Sequence, residues 1–154
     1  MPGKIIVLGA GLVGGAIAAD LHLAGYDVVS ADLDPAALKK VESMKGIRTR
    51  KADFMQADVL RELVEDKDLV IGAAPGALGY QLMEQVIRLG KNMVDISFCP
   101  EDYLQLDGLA KENGVTVVAD MGVAPGMCNA ILGFHDRKME VESYKCIVGG
   151  LPVK

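Results

Sequence analysis

The chain reads as a doubly wound α/β domain, a parallel sheet covered by helices on both faces. Three observations lead there. Short apolar runs alternate with segments of helical spacing over most of the 154 residues, joined by short turns. The 18 glycines suit a fold with many strand-to-helix turns. The apolar half of the composition is almost wholly aliphatic, with 5% aromatic residues and no Trp, so the core is built from Val, Ile, Leu, Ala and Met.

Residues 5–8 are apolar throughout, as in a strand buried on both faces. A glycine-rich turn follows, then helical character up to Gly25. Residues 28–31 form a second apolar strand that ends at Asp32. Asp34 and Pro35 open the next helix, Asp as its N-cap and Pro in its first turn. That helix runs to about Met44, and Lys45 and Gly46 close it. Residues 47–52 make a weak third strand, rich in Arg and Lys and suited to a sheet edge. Asp58 starts a helix through Val64; residues 69–71 are a strong fourth strand, followed by small turn residues at 72–76. A helix over 78–89 stops at Gly90, and 93–96 form the fifth strand. In the helix expected over 101–113, Leu104, Leu106, Leu109 and Ala110 recur at roughly helical spacing, and Gly114 ends it. Residues 115–119 are a sixth strand, 120–126 a loop, 127–135 a helix and 141–148 a seventh strand. Six strands with right-handed crossovers take the order 3-2-1-4-5-6, the Rossmann arrangement. The division expected is a dinucleotide-binding domain over 1–138 and the start of a second domain over 139–154.

Ligands in such a sheet sit across the strand C-termini, at the switch between strands 1 and 4. Strand, Gly9-Ala10-Gly11-Leu12-Val13-Gly14, helix, strand and Asp32 together form the dinucleotide-binding fingerprint in its full context. Gly9 permits the tight turn, Gly11 lets backbone approach a pyrophosphate, and Gly14 lets helix and strand pack closely. The helix start offers unpaired N–H groups and a positive dipole end. A plain turn also uses glycines, but the preceding strand and the acid at the right distance weigh against it. Asp32, with Leu33 beside it, is read as accepting from the adenosine ribose hydroxyls, since Asp34 already serves as the helix cap. A 2′-phosphate would face that carboxylate, and no Arg or Lys follows until Lys39, so NAD is expected over NADP. Asp53 and Phe54 flank the adenine on this reading, with Phe54 equally suited to the core. Ala73, Ala74 and Pro75 let the nicotinamide half lie against backbone, or form an ordinary turn.

The net charge of −5 without a basic block argues against nucleic acid. No apolar run reaches the ~18 residues of a membrane span. The apolar start is taken up by the first strand rather than by a signal peptide, and Cys99, Cys128 and Cys146 match no zinc spacing. Reduced thiols in the cytoplasm are the simplest account.

Residues 117–129 read Val-Val-Ala-Asp-Met-Gly-Val-Ala-Pro-Gly-Met-Cys-Asn, 141–143 read Val-Glu-Ser, and 148–152 read Val-Gly-Gly-Leu-Pro. With the fingerprint and Val94-Asp95, these resemble the saccharopine dehydrogenase-like family over nearly the whole chain. Saccharopine reductases carry Asp before the Pro-Gly pair and Cys before Gly-Gly-Leu-Pro; here Ala124 and Val148 stand there. Both departures resemble the lysine 6-dehydrogenase branch, with carboxynorspermidine synthases still open. The resemblance implies oxidative deamination: the lysine ε-carbon gives up a hydride to NAD, water attacks the imine, and the aldehyde cyclises. It also implies a second α/β domain carrying much of the substrate pocket and a homodimer contact. The chain is therefore expected to be a fragment that binds cofactor without turnover. The other account is a one-domain relative whose last strand pairs with another subunit.

Catalytic candidates are few. Asp95 and Asp120, at strand ends, bind the substrate amine or orient water, or else hydrogen-bond nearby loop N–H groups. Pro125 and Gly126 lead a helix start near the nicotinamide, and Asn129 either faces substrate or caps that helix. His135 suits a helix C-terminus, His22 lies inside the first helix, and Cys99 lacks a partner that would activate it. The rival to an amine dehydrogenase is a regulatory NAD-sensing module, which would have no use for the Pro-Gly-Met-Cys-Asn and Val-Gly-Gly-Leu-Pro segments.

Overall fold

A computed structural model describes residues 3–44 and 46–149. The strands are β1 (Lys4–Leu8), β2 (Asp27–Asp32), β3 (Arg48–Lys51), β4 (Leu69–Gly72), β5 (Met93–Asp95) and β6 (Val117–Val118). The helices are α1 (Leu12–Leu23), α2 (Pro35–Glu42), α3 (Ala57–Val64), α4 (Gly76–Arg88), α5 (Asp107–Glu112) and α6 (Met127–Asp136), with a 3₁₀ turn at Tyr103–Leu106. All strand pairs are parallel, in the order β3-β2-β1-β4-β5-β6. That is the order expected from the alternation of strands and helices.

Strand alternation divides the core into two layers. Ile5 and Val7 of β1 and Val28 of β2 face the side covered by α1 and α2, where Ala18, Leu38 and Val41 are buried. Ile6 and Leu8 face the other side, packing with Leu60 and Val64 of α3 and Leu82, Met83, Val86 and Ile87 of α4. The sheet is thus covered on both faces, which is why its central strands read as unbroken apolar runs. Asp34 caps α2 by accepting from the Ala36 N–H at 2.8 Å, with Pro35 at the first helical position. β3 is an edge strand, and its Arg48 pairs with Asp27 at 2.7 Å.

Four expectations need correction. β5 ends at Asp95 rather than 96, because the Asp95 carboxylate accepts the Ser97 N–H and turns the chain. β6 is two residues rather than five, since short β5 offers only Met93 and Val94 as partners. The helix expected over 101–113 divides: Asp102 accepts from the Leu104 N–H at 3.0 Å and tightens the first turn into 3₁₀ geometry. The seventh strand does not form: residues 141–149 pair with no strand among the described residues, and most are exposed. A strand needs an edge to pair with, and none reaches this segment. The expected closure at Lys45, and Gly150, Leu151 and Pro152 of the last motif, lie outside the described residues. Among the described residues no helix is long and apolar enough to cross a membrane.

Candidate functional site

A cleft of about 620 Å³ crosses the C-terminal ends of β1, β2 and β4. Gly9 forms its base, with φ at 111°, and a side chain there would run into the Ala73 carbonyl. Gly14 abuts the Gly9 carbonyl just as closely, which seats α1 on the turn. Gly11 differs from both. Its φ is −61°, and a Cβ added to it would meet nothing within 4 Å. Neither backbone conformation nor packing within the protein requires glycine at that position; a ligand drawn close to the backbone would. No side chain caps α1 and no acid sits in its first turn, whereas α2 is capped by Asp34. The first amides of α1 are therefore left for an anion, next to a Leu12 that is 91% exposed.

Asp32 closes one side. Its Oδ2 accepts from the Ala10 N–H at 2.6 Å and its Oδ1 from the Asp34 N–H at 2.8 Å. The carboxylate thus ties the glycine turn to the end of β2. Each oxygen keeps acceptor capacity for hydroxyl groups.

Every residue expected at the cofactor lines this cleft except Ala10: Gly9, Gly11, Leu12, Val13, Gly14, Asp32, Leu33, Asp53, Phe54, Ala73, Ala74 and Pro75. Ala10 is buried beneath the turn and contributes its N–H to Asp32. Phe54 is both core and wall: it is 8% exposed and packs with Leu60 and Val64. Asp53 accepts from the Met55 N–H and the Gln56 side chain at 3.1 Å, so it also holds the turn into α3. The cleft extends further than these residues, to Met55, Gly76, Leu78, Ile96, Ser97 and Phe98. Position 96–98 after a strand is the signal that marks the last three.

The second group of candidates lies at the ends of β5 and β6. Asp95 is fully buried. Its Oδ1 accepts from the Ser97 N–H at 2.8 Å and from the Ser97 hydroxyl, while Oδ2 has no partner among the described residues. That second oxygen lies against Gly72, where any side chain would displace it. Burial pushes the Asp95 carboxyl up to about 6, against the pull of its Ser97 hydrogen bonds and with help from the Asp120 charge. Asp120 adopts a left-handed φ of 55° and stands beside the Tyr103 hydroxyl, which it holds above the usual phenol range by hydrogen bonding and charge. Neither carboxylate lines the cleft; Asp95 borders it through Ser97.

Pro125, Gly126 and Asn129 are likewise absent from its walls. They form a tight loop with a cis Ala124–Pro125 peptide, in which Asn129 Oδ1 accepts from the Gly126 N–H at 3.2 Å. Asn129 thus caps α6, the structural alternative for this residue. The loop joins the site through the Met121 N–H, which donates to the Asp95 carbonyl at 2.9 Å. Cys99 is buried, and burial pushes its thiol up, away from thiolate chemistry.

A family model described as saccharopine dehydrogenase NADP binding domain matches residues 5–118, three-quarters of the chain and nearly the whole sheet. The chain belongs to that family. This saccharopine dehydrogenase-type domain is 28% identical, over 97% of its length, to the mitochondrial alpha-aminoadipic semialdehyde synthase of Rattus norvegicus, of which it covers 17%. It is 29% identical, over 58% of its length, to a saccharopine dehydrogenase [NADP(+), L-glutamate-forming] of Pyricularia oryzae, covering 21% of that protein. The apo structure of the L-Glu-forming saccharopine dehydrogenase of Saccharomyces cerevisiae shares its fold with a TM-score of 0.73 at 21% identity, over 87% of this chain and 31% of that one.

Proposed function

We propose that this chain is the pyridine-nucleotide-binding part of a saccharopine dehydrogenase-like oxidoreductase acting on an amino group. Its substrate on this reading is lysine or a related basic amino acid or diamine, and NAD is preferred to NADP. The observation that carries the nucleotide reading is Gly11, a glycine open to the cleft that nothing in the protein itself requires. Bound there, a pyridine nucleotide supplies a ring that exchanges hydride with substrate. The uncapped first turn of α1 takes the pyrophosphate, and Asp32 takes the adenosine ribose hydroxyls.

The family description and the fungal relative name NADP. Asp32 argues for NAD, because a 2′-phosphate beside its carboxylate would be repelled. Isothermal titration calorimetry tests this. NAD is expected to bind more tightly than NADP by about tenfold or more, and Asp32→Ala to narrow that gap. Equal affinities for the wild-type chain would refute the NAD preference.

Ala124 and Val148, where saccharopine reductases carry Asp and Cys, support an amine dehydrogenase. The names of the rat and fungal relatives favour a second reading, a saccharopine-cleaving or saccharopine-forming enzyme. Asp95 and Asp120 are the candidates for holding the substrate amine, with the 125–129 segment nearby. Production of NADH from lysine by the full-length protein, followed at 340 nm, separates the two readings. On the same proposal residues 139–154 begin a substrate and dimerisation domain, and the apolar side chains of α6 pack against it or against a second copy. The three free thiols fit a reducing compartment such as the cytoplasm.

A further inference from the structure

Phe98 stands apart among the apolar residues of the cleft. Its side chain is 75% exposed, whereas Phe54 across the same cleft is part of the core. The backbone beneath Phe98 is nevertheless tightly seated. Gly76, at the start of α4, lies so close to the Phe98 carbonyl that a side chain at 76 would collide with it. Gly79 sits in the same way against the Ser97 hydroxyl. Ser97 is in turn bonded to the buried Asp95 carboxyl. The ring is therefore presented to the cleft from a backbone locked on two sides, with little of its surface packed against the protein. An aromatic ring held this way on a cleft wall gains burial when a ligand in the cleft covers it.

The topology says which part of a ligand that is. Asp32 ends β2 with Leu33 just after it, and Asp53 and Phe54 follow β3, so the adenosine half lies over that side. The glycine turn marks the switch between β1 and β4, where the pyrophosphate crosses. The other half extends over β4 and β5, the side that carries Phe98. We infer that Phe98 is the stacking surface for the nicotinamide ring of the bound nucleotide, an inference that rests on the nucleotide reading above. Planar rings attract in offset or edge-on contact, and the positively charged oxidised ring gains further from the face of a phenyl group.

The test compares NAD with ADP-ribose, which carries every part of the ligand except nicotinamide, by titration calorimetry on the 154-residue chain. Phe98→Ala is expected to weaken NAD binding about five- to tenfold while leaving ADP-ribose within about twofold. Phe98→Trp restores a ring and is expected to keep NAD affinity near wild type. Thermal denaturation checks that both variants fold, as an exposed position predicts. If Phe98→Ala leaves NAD unchanged, or weakens NAD and ADP-ribose alike, the stacking role is overturned while the nucleotide site stands. If the wild-type chain binds neither ligand, the nucleotide reading falls and this inference with it.

Discussion

The sheet through β6 and the segment that follows it are held together by different means. Every strand from β1 to β5 except edge strand β3 places side chains in the interior, and Ile6, Leu8, Val70, Leu82 and Met93 are essentially closed to solvent. In α6 no residue is buried, and Met127, Ile131 and Phe134 are all about half exposed. What orders this later region is local: the Met127 N–H to the Gly122 carbonyl at 2.8 Å, the Gly126 N–H to Asn129 Oδ1 at 3.2 Å, and the Tyr144 hydroxyl to the Cys128 carbonyl at 3.2 Å. The first region carries the whole glycine cleft; the second carries apolar side chains left open to solvent. Nucleotide binding therefore draws on a packed scaffold. The loop at 120–126 is attached to that scaffold through the Met121 N–H, which donates to the Asp95 carbonyl, while Gly122 and Gly126 pair with each other inside the loop.

The comparison breaks most directly by truncating one side chain on each side. Leu82→Ala is expected to cost about 2–5 kcal/mol in urea denaturation, and Ile131→Ala no more than about 0.5 kcal/mol. A comparable loss at both positions would mean that α6 is part of the core in solution.

Asp95, at the boundary, sharpens the comparison through pH. Its folded-state value of about 6 lies above the ordinary 3.8, so folding takes up a proton between those two pH values. The stability this residue contributes is full below about pH 4 and is lost as pH rises through 6, by on the order of 3 kcal/mol. Asp95→Asn cannot titrate. The stability difference between variant and wild type should shift in the variant's favour across that window, measured by denaturation at successive pH values. A difference that stays constant from pH 4 to 8 would show that the carboxyl titrates normally.

The glycine turn allows the finest distinction. Gly11→Ala should change stability by about 1 kcal/mol at most, the cost of a poorer N-cap, yet weaken NAD about tenfold by keeping the pyrophosphate off the backbone. Unchanged NAD affinity would remove the main support for the cleft as a nucleotide site. Gly14→Ala, where a Cβ meets the Gly9 carbonyl, should instead lose stability and binding together.

Much of this is legible in the sequence. The apolar runs at 5–8, 28–31 and 69–71 mark strands because both faces of a parallel sheet are buried, and Asp34-Pro35 marks a helix start through its own turn chemistry. The residues that line the cleft are legible for the same reason, since most occupy one short turn and the ends of adjacent strands. For Ala10, its place in the fingerprint does not say that it is buried with its N–H on Asp32. The expected strand at 141–148 had the right residues and no partner edge. Phe98 lies in a strand-end loop, but its position alone does not say that its ring is exposed on the cleft wall.

Periodicity and turn residues are local properties, and they alone determined the element order, the strand order, the glycine turn and the acid at position 32. Contacts between distant residues decided the rest. Asp95 is buried with one oxygen unpartnered among the described residues because Gly72, on the neighbouring strand, leaves it room, and Phe98 reaches the cleft because Gly76 and Gly79 admit its backbone. Such fits depend on shape brought together across the sheet, and no stretch of chain carries them by itself.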